Sequence, residues 1–268
     1  MYFRKVIMMY TIEELQKLIT NADAIVIGAG AGLSASAGFE YGGKTFLKNF
    51  KYMFEKFGYT DMYQAGFHHF SSEEEKWAYW AKMIDLNRYE AGAMPLYKQL
   101  LELVKQKNYF VITTNVDHQF QLAGFDKTKL FYMQGDYGLF QCSKACHNKT
   151  YDNENDIKQM LESIKDNRVS KNRIPLCPIC GAPMTTNLRC DDSFVEDEGW
   201  HDAQKRFISF INENKNKNIL LLELGVGFST PVWIKYPFLK LTWENPKARY
   251  VIIDKGYSPI PKEIQSQT

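Results

Sequence analysis

Five short stretches of the sequence carry residue types that could bind a nucleotide, transfer a group or hold a metal. In chain order they are GAGAGLSASAGF from Gly28, TTNVD from Thr113, the pair Gln134-Gly135, two cysteine pairs, and GVGFSTP from Gly225. A glycine-rich turn between a strand and a helix lets backbone N–H groups approach a phosphate, and the helix N-terminus favours negative charge. The sequence therefore indicates a nucleotide site together with a metal site.

The first glycine turn fits a dinucleotide. With no Cβ at Gly28, Gly30 and Gly32, the backbone can approach a pyrophosphate. The spacing differs from G-x-G-x-x-G, and no acid follows a second strand about 20 residues on, as ribose recognition in a hydride-transfer enzyme requires. This pattern disfavours a dehydrogenase. A tight strand-to-helix turn without a ligand is the alternative for this motif taken alone.

A polar cluster follows the next apolar strand. Asn115 and Asp117 lie beyond the carboxyl end of that strand, where ligands bind in open parallel sheets. Asparagine can donate and accept hydrogen bonds, and a carboxylate can accept from an amide. The alternative is an Asx turn that opens a helix near Gln119. We expect the neighbouring His118 to be exposed.

Gln134 follows the strand after that. Its side chain can donate and accept hydrogen bonds but cannot take up a proton near neutral pH. Gln134 therefore cannot act as a general base. The alternative is that another group supplies a base and that Gln134 is incidental.

The second glycine turn also follows an apolar strand and opens a helix. Gly225, Gly227 and Ser229 could reach a second phosphate or a ribose through N–H groups and a hydroxyl. Asp254, at the end of the last strand, could accept hydrogen bonds from both hydroxyls of a ribose. As a lone acid it could equally be solvated.

Two cysteine pairs have the spacing of metal ligands. The four cysteines are Cys142, Cys146, Cys177 and Cys180. Gly181 permits the tight knuckle turn that aims the second pair at one ion, and four thiolates predict a closed, structural zinc site. Two unrelated reduced pairs, or His147 as the fourth ligand, are the alternatives. We expect Cys190 to be an unligated thiol.

Composition excludes several classes of function. The chain has 268 residues, 45% of them hydrophobic, and a formal net charge of +2 without a basic tract. These values support one large core, or one core with a smaller attached module, and give no case for nucleic acid or membrane as a partner. The segment MYFRKVIMMY is too poor in apolar residues for a signal peptide, and an odd number of cysteines argues against a disulfide framework. We expect a cytoplasmic protein.

The elements that position these motifs alternate between strand and helix. A capping box at Thr11 to Glu14 predicts a helix that ends near Asn21. Predicted strands lie at 24–27, 109–113, 130–133, 219–224 and 250–253. Predicted helices lie at 73–86, 95–107, near 119, and at 154–165, 202–214 and 232–239. We expect the aromatic residues of the 73–86 helix to be core.

This order predicts an α/β fold with a Rossmann-like parallel sheet and helices on both faces. Residues 1–44, 89–140 and 186–268 form the predicted NAD-type nucleotide domain. A helical insertion at 45–88 and a zinc-binding module at 141–185 form the predicted smaller domain.

Taken together, the motifs resemble those of the sirtuins, which consume NAD as a substrate. The resemblance implies that Ala29, Gly30, Ser34 and Thr114 line the NAD pocket and that Asn115 and Asp117 orient NAD for cleavage. It also places Gln134 where most of the family has its catalytic histidine. The family's proline-aspartate-phenylalanine-arginine continuation is absent, because residues 39–43 read FEYGG. Phe39 or Tyr41 then replaces the missing aromatic side chain.

The run QGDYG from Gln134, followed at once by the cysteine module, resembles the macrodomain-linked class M sirtuins of microbes. That resemblance implies mono-ADP-ribosylation of a lipoylated carrier protein related to the glycine-cleavage H protein, with a macrodomain hydrolase as the functional partner. Arg189 aligns with an arginine that this class places in the pocket. A guanidinium there could bind phosphate or neutralise an acidic acceptor. The alternative is a surface salt bridge.

The sequence thus predicts an NAD-dependent protein ADP-ribosyltransferase in which Asn115, Asp117 and Gln134 carry the chemistry. Sirtuin deacylation needs a base, worth on the order of 10² to 10⁴ in rate, whereas transfer of ADP-ribose can proceed by positioning and charge stabilisation. A lysine deacylase with another base is the first alternative. A non-catalytic NAD or ADP-ribose sensor and an NAD hydrolase are the others.

Overall fold

A computed structural model describes residues 10–228, 231–256 and 258–268 of the protein. The strands are β1 (Ala24–Ala29), β2 (Tyr109–Thr113), β3 (Leu130–Tyr132), β4 (Gly135–Cys142), β5 (Tyr151–Asp152), β6 (Met184–Leu188), β7 (Ile219–Leu224) and β8 (Arg249–Ile253). The α-helices are α1 (Ile12–Asn21), α2 (Ala31–Ala37), α3 (Gly43–Phe57), α4 (Met62–Gly66), α5 (Glu73–Ile84), α6 (Pro95–Val104), α7 (Gln119–Leu122), α8 (Glu154–Ser163), α9 (Glu198–Asn214) and α10 (Lys235–Glu244).

Five parallel strands form the larger sheet, in the order β3-β2-β1-β7-β8. Every residue of β1, β2 and β7 is buried, which explains their nearly continuous apolar sequences. The chain builds the sheet outward from β1 in one direction and later from β7 in the other. The order therefore reverses between β1 and β7, and ligands of open α/β sheets bind at the carboxyl ends of such neighbouring strands.

Helices cover both faces of this sheet. On one face α1, α6 and α7 contribute Ile19, Tyr97 and Phe120 to an apolar cluster. On the other, α9 and α10 contribute Phe210 and Phe238 to a second cluster. The predicted Rossmann-like α/β architecture is confirmed, as are the predicted α1 with its capping box and the five predicted strands of the sheet.

A smaller antiparallel sheet has the order β5-β4-β6. It shares an apolar cluster with α3, α4, α5 and α8. Trp77 of α5 packs edge-on against Phe140 of β4, with ring centroids 4.8 Å apart. Trp77 and Tyr79 are fully buried, so the prediction that the aromatic residues of this helix belong to a core is confirmed for both.

The structure differs from the sequence-based expectation at several elements. Strands β4, β5 and β6 were not predicted. Strand β4 contains two glycines and an aspartate, which are depleted in strands, and β5 has only two residues. The expected domain boundary at 140/141 falls inside β4, and the two-domain division stays a prediction. Helix α10 begins at Lys235 rather than 232 because Pro237 is tolerated only in a first turn. Helix α9 begins at Glu198, where Asp197 caps it.

Across the described ranges, no helix is both long enough and apolar enough to cross a membrane.

Candidate active site

The two glycine turns contact each other at the carboxyl ends of β1 and β7. The Gly30 N–H donates to the Leu224 carbonyl at 3.0 Å, and the Gly32 N–H donates to the Gly225 carbonyl at 2.9 Å. A Cβ on Gly30 would lie 2.7 Å from the Gly225 oxygen, and a Cβ on Gly32 would lie 2.7 Å from Gly225 Cα. These glycines therefore allow the turns to pack together, and both N–H groups are already used.

Gly28 has a different neighbour. A Cβ there would lie 2.5 Å from Ile234 Cγ2 and 2.8 Å from the Phe238 ring, so this glycine lets α10 approach β1. Gly227 is exposed and has open space where a Cβ would be.

Within the described residues, the first turn of α2 offers one free donor. The N–H of Ala31 has no partner within the described part of the chain. Ser229 lies outside the described residues.

A buried polar cluster lies beside these turns. Ser34, on α2, is 2.5 Å from Asp117 Oδ2 and donates to it. The Asn115 Nδ2 group lies 3.0 Å from the Gly30 carbonyl and 3.1 Å from Ser34 Oγ. The hydroxyl of Tyr97, on α6, is 2.7 Å from Ser34 Oγ and 3.2 Å from Asn115 Nδ2. The structure therefore brings together predicted residues from two loops, and adds Tyr97 to them.

Asp117 forms the Asx turn that its sequence context suggested, and its role toward NAD stays a prediction. Its Oδ1 accepts from the Gln119 N–H at 3.1 Å, the local bond of an Asx turn before α7, while Oδ2 faces Ser34. Burial raises the pKa of the Asp117 carboxyl above its usual range, although both hydrogen bonds act in the opposite direction.

The end of β2 is tied to the end of β1. Thr114, half-buried, donates its N–H to the carbonyl of the buried Ala29 at 3.0 Å. The Thr113 hydroxyl donates to the same carbonyl at 3.0 Å and accepts from the Asn115 N–H at 3.0 Å. These bonds fix the backbone that carries the Asn115 side chain.

Gln134 immediately precedes β4 and is half-buried. Its carbonyl accepts from the Arg189 N–H at 3.1 Å. Gly135 has φ +92°, and a Cβ there would lie 1.9 Å from the Asn187 carbonyl oxygen. Glycine is therefore required where β4 approaches the backbone of β6. Within the described residues the Gln134 side chain forms no hydrogen bond, which leaves its amide able to bind a ligand.

Arg189 forms the salt bridge that its sequence context suggested as one alternative, and its role in binding phosphate or an acceptor stays a prediction. Its guanidinium pairs with Glu196 at 2.6 Å, which is the salt bridge. It also lies among three aromatic rings, with its Cζ 4.2 Å from the centroid of Phe194, 5.4 Å from Trp200 and 5.0 Å from Trp233. Because its N–H binds the Gln134 carbonyl, this cluster lies directly beside the candidate catalytic residue.

The expectation that His118 is exposed is wrong. Only a quarter of its side chain is exposed, and its Nδ1 bonds with Asp136 Oδ2. Asp136 Oδ1 accepts from Arg88 Nε at 3.1 Å and from the Gly138 N–H at 2.8 Å. Burial alone would raise the pKa of Asp136, but the His118 bond and the charges of His118 and Arg88 hold it below its ordinary value.

Sequence reasoning assigned no role to Tyr97, Arg88, Asp136 and Tyr137. Tyr97 and Arg88 come from elements distant in sequence from the motifs that they support, and Asp136 and Tyr137, although they lie within QGDYG, bind partners that no local spacing indicates. The Tyr137 hydroxyl lies 3.2 Å from the Tyr41 hydroxyl. Tyr41 belongs to the segment 39–43, where the sequence departs from the sirtuin pattern. Burial raises the pKa of both hydroxyls. Phe39 stacks on Tyr41, with centroids 6.4 Å apart.

Asp254 follows β8 and is exposed. Its Oδ1 accepts from the Gly256 N–H at 3.3 Å. The preceding residue, Ile253, accepts from the Gly225 N–H at 2.9 Å, so Asp254 comes next to the second glycine turn along the sheet edge.

The four predicted metal ligands form one cluster. The sulfurs of Cys142, Cys146, Cys177 and Cys180 all lie within 4.8 Å of one another. The sulfur–sulfur distance is 3.6 Å between Cys142 and Cys180 and also 3.6 Å between Cys146 and Cys177. Four thiolates around zinc at about 2.3 Å lie about 3.8 Å apart, so the donor set fits a tetrahedral zinc ion. His147 Nδ1 lies 3.0 Å from Cys146 Sγ and its Nε2 lies 2.8 Å from the Tyr151 hydroxyl, a supporting position outside the cluster.

Comparison with known proteins agrees with this arrangement. The sequence profile of the Sir2 family matches residues 30–217, which include both the polar cluster and the cysteines. The chain belongs to the Sir2 family. This sirtuin is 40% identical, over 257 residues, to a Staphylococcus aureus protein named protein ADP-ribosyltransferase, covering 96% of this chain and 82% of that one.

A second relative of this sirtuin, from Fusarium oxysporum f. sp. cubense, is named a probable bifunctional ADP-ribose hydrolase/ADP-ribosyltransferase. It is 30% identical over 255 residues, which are 90% of this chain but only 41% of that protein. Among solved structures, one described as Sir2 bound to acetylated peptide superposes with a TM-score of 0.59 at 22% identity, covering 93% of this chain and 89% of that one. This likeness shows the shared fold.

Proposed function

We propose that this sirtuin cleaves the bond between nicotinamide and ribose in NAD and transfers ADP-ribose to a protein side chain. The observation that carries the proposal is Gln134. Its amide makes no hydrogen bond within the described residues, and it follows Met133, whose N–H donates to the carbonyl of Thr113 at 3.1 Å, next to the strand end that carries Asn115. A glutamine amide cannot take up a proton near neutral pH. The site has the groups to bind and orient NAD without the base that deacylation requires.

The reaction makes limited demands on the protein. The C1′–N bond breaks and its electron pair leaves with nicotinamide, while a lone pair of the acceptor forms the new bond to C1′. A carboxylate acceptor has no proton to lose, and any proton on another acceptor passes to solvent. The enzyme needs to hold the ribose and nicotinamide and to stabilise the cationic sugar. Asn115 and Asp117 orient NAD, and Gln134 contributes its amide oxygen near the developing charge. Arg189 binds phosphate or an acidic group of the acceptor.

In this proposal NAD binds across the carboxyl ends of β1 and β7. Ala29, Gly30 and Ser34 contact it from the first glycine turn, and Gly225, Gly227 and Ser229 contact it from the second. Asp254 accepts from the adenosine ribose. The four cysteines hold a structural zinc ion, whose role is to fold the smaller sheet and its loops.

For the acceptor we propose a lipoylated carrier protein of the glycine-cleavage H type. The support is the resemblance of the QGDYG and cysteine pattern to that of class M sirtuins, together with the name of the S. aureus relative, protein ADP-ribosyltransferase. A macrodomain hydrolase that removes the ADP-ribose is the proposed functional partner. The name of the Fusarium relative, which joins hydrolase and transferase activities, supports this pairing.

The test is incubation of the purified protein with NAD labelled in the ADP-ribose part. Three substrates are compared: a lipoylated H-like carrier, the same carrier without lipoate, and an acetyl-lysine peptide. We expect label on the lipoylated carrier alone, and about tenfold or greater loss of labelling in Gln134→Ala. Mass spectrometry identifies the modified side chain.

Other outcomes contradict the proposal in distinct ways. Deacetylated peptide and O-acetyl-ADP-ribose with unlabelled carrier would establish a deacylase that uses another base. Free ADP-ribose alone would establish an NAD hydrolase. Intact NAD that is bound but not consumed would establish a sensor.

A further inference from the structure

The hydroxyl of Tyr97 is the least expected member of the buried polar cluster. Tyr97 lies on α6, far in sequence from both loops of the site, and its side chain is fully buried. Its ring packs edge-on against Phe120, with centroids 5.0 Å apart. Only the hydroxyl reaches the cluster, where it lies 2.7 Å from Ser34 Oγ and 3.2 Å from Asn115 Nδ2.

The donors and acceptors fix the direction of these bonds. An amide nitrogen can only donate, so Asn115 Nδ2 donates to the Tyr97 oxygen. Tyr97 then has one proton, which it donates to Ser34 Oγ, and Ser34 donates its proton to Asp117 Oδ2. Burial raises the pKa of the Tyr97 hydroxyl, so it keeps this proton throughout the physiological range.

One consequence is the orientation of the Asn115 amide. Its Nδ2 faces three acceptors, which are the Gly30 carbonyl and the hydroxyls of Ser34 and Tyr97. No hydrogen bond within the described residues reaches its Oδ1. Among those residues, Trp77 Nε1 is the one fully enclosed side-chain nitrogen or oxygen without a partner. Asn115 Oδ1 is therefore not enclosed, and it is free to accept a hydrogen bond from a ligand.

The helix that carries Tyr97 is itself held in place. Gln119, fully buried, accepts from the Met94 N–H at 2.9 Å and donates to the Gly92 carbonyl at 3.1 Å, which ties the segment before α6 to the first residue of α7. The Tyr97 hydroxyl is thus presented at a fixed distance from Ser34 and Asn115.

We propose that Tyr97 is a positioning residue that turns the Asn115 amide oxygen toward the substrate and orders the Ser34–Asp117 pair for NAD cleavage. This proposal rests on the proposed function. The two hydrogens of Nδ2 are shared among the three acceptors. Without the hydroxyl, Ser34 loses the donor that orients its Oγ, and the position of the Ser34 and Asn115 side chains in the arrangement that cleavage needs becomes less well fixed.

The test compares Tyr97→Phe with Tyr109→Phe in the full chain. Tyr109 is also a buried tyrosine, but its hydroxyl accepts from the Asp126 N–H, away from the cluster. We expect Tyr97→Phe to lower kcat for nicotinamide release about tenfold or more, with the Kd for NAD changed less than about threefold. Tyr109→Phe should retain the unsubstituted protein's kcat. Tyr97→Leu serves as a second hydroxyl-free variant if Tyr97→Phe does not fold.

A spectroscopic readout separates this proposal from the proposed function. The ¹H–¹⁵N resonances of the Asn115 side-chain amide, assigned with Asn115→Gln, should move in Tyr97→Phe and stay in place in Tyr109→Phe. Unchanged Asn115 resonances, or an unchanged kcat in Tyr97→Phe, would overturn the positioning role. If the unsubstituted protein releases no nicotinamide, the proposed function fails, and the resonances still decide whether Tyr97 orients Asn115.

Discussion

Asp136 binds His118 across the gap between the two sheets of the molecule. His118 follows β2 of the parallel sheet, and Asp136 is the second residue of β4 in the antiparallel sheet. The same carboxylate accepts from Arg88, in the π-helical turn Asp85–Tyr89 that follows α5. His118 has φ +64°, a conformation that costs a non-glycine residue energy and that the Asp136 bond helps to hold. One buried carboxylate therefore joins three segments beside Gln134 and Asp117.

We expect Asp136→Asn to lower the free energy of unfolding by about 2 kcal/mol at pH 7, because the partly buried Arg88 loses its charge partner and His118 loses its carboxylate partner. The pKa of Asp136 is lowered in the folded state. Its contribution is thus fully present above the ordinary aspartate pKa of about 3.9 and is lost as pH falls through the lower folded value. Urea unfolding of both proteins between pH 7 and pH 3 measures this.

The control is Asp202→Asn, which removes an exposed i,i+3 pair with Lys205 on α9. That change should leave stability nearly unchanged. A difference between Asp136→Asn and the unsubstituted protein that stays constant down to pH 3 would contradict an ionic role for Asp136.

Asp117→Asn should raise the free energy of unfolding, in contrast to Asp136→Asn, which lowers it. Burial raises the pKa of Asp117, so its ionisation costs stability as pH rises from the unfolded pKa through the folded one. Asparagine removes this cost and can still accept from the Gln119 N–H. We expect a gain of about 1 kcal/mol at pH 7 with a large loss of nicotinamide release. Thermal unfolding and a nicotinamide assay measure the two effects, and a less stable variant would show that the carboxylate is needed for folding.

The sequence predicted the parallel sheet well because its strands are buried on both faces and read as continuous apolar runs. Ile219 to Leu224, for example, matches β7 without a change of boundary. The cysteine cluster was also predictable, because ligand spacing is local. The smaller sheet was not, since the signal of β4 is diluted by Gly135, Asp136 and Gly138. The support of the site by Tyr97 and Asp136 depends on long-range packing, which no local pattern encodes.

The cysteine cluster gives a prediction about metal. We expect about one zinc ion per chain, and its loss in Cys177→Ser, since a structural site needs all four thiolates. Because zinc binding is coupled to folding, the variant should also unfold at a markedly lower temperature. Cys190→Ser is the matched control, as Cys190 lies outside the cluster. Elemental analysis and thermal unfolding measure this, and full zinc content in Cys177→Ser would contradict the ligand set.

A buried ion pair supports the second glycine turn. Lys235, in the first turn of α10, pairs with Glu223 of β7, and side-chain exposures of 4% and 0% leave both without water. The Tyr250 hydroxyl donates to the other Glu223 oxygen, and Lys235 Nζ also lies 3.3 Å from Ser258 Oγ. Glu223 precedes the turn at Gly225 and Lys235 follows it, so the ion pair links the strand before the turn to the helix after it.

We expect Lys235→Met to lower the free energy of unfolding by about 3 to 5 kcal/mol, because it leaves the Glu223 carboxylate buried without a cation. Adding Glu223→Gln should restore a large part of that loss, since the amide can still accept from Tyr250 and no charge is left unpaired. Lys240→Met, on the exposed face of the same helix, should change little. Urea unfolding of the four proteins measures this. A double variant no more stable than Lys235→Met would show that Lys235 acts through packing rather than charge.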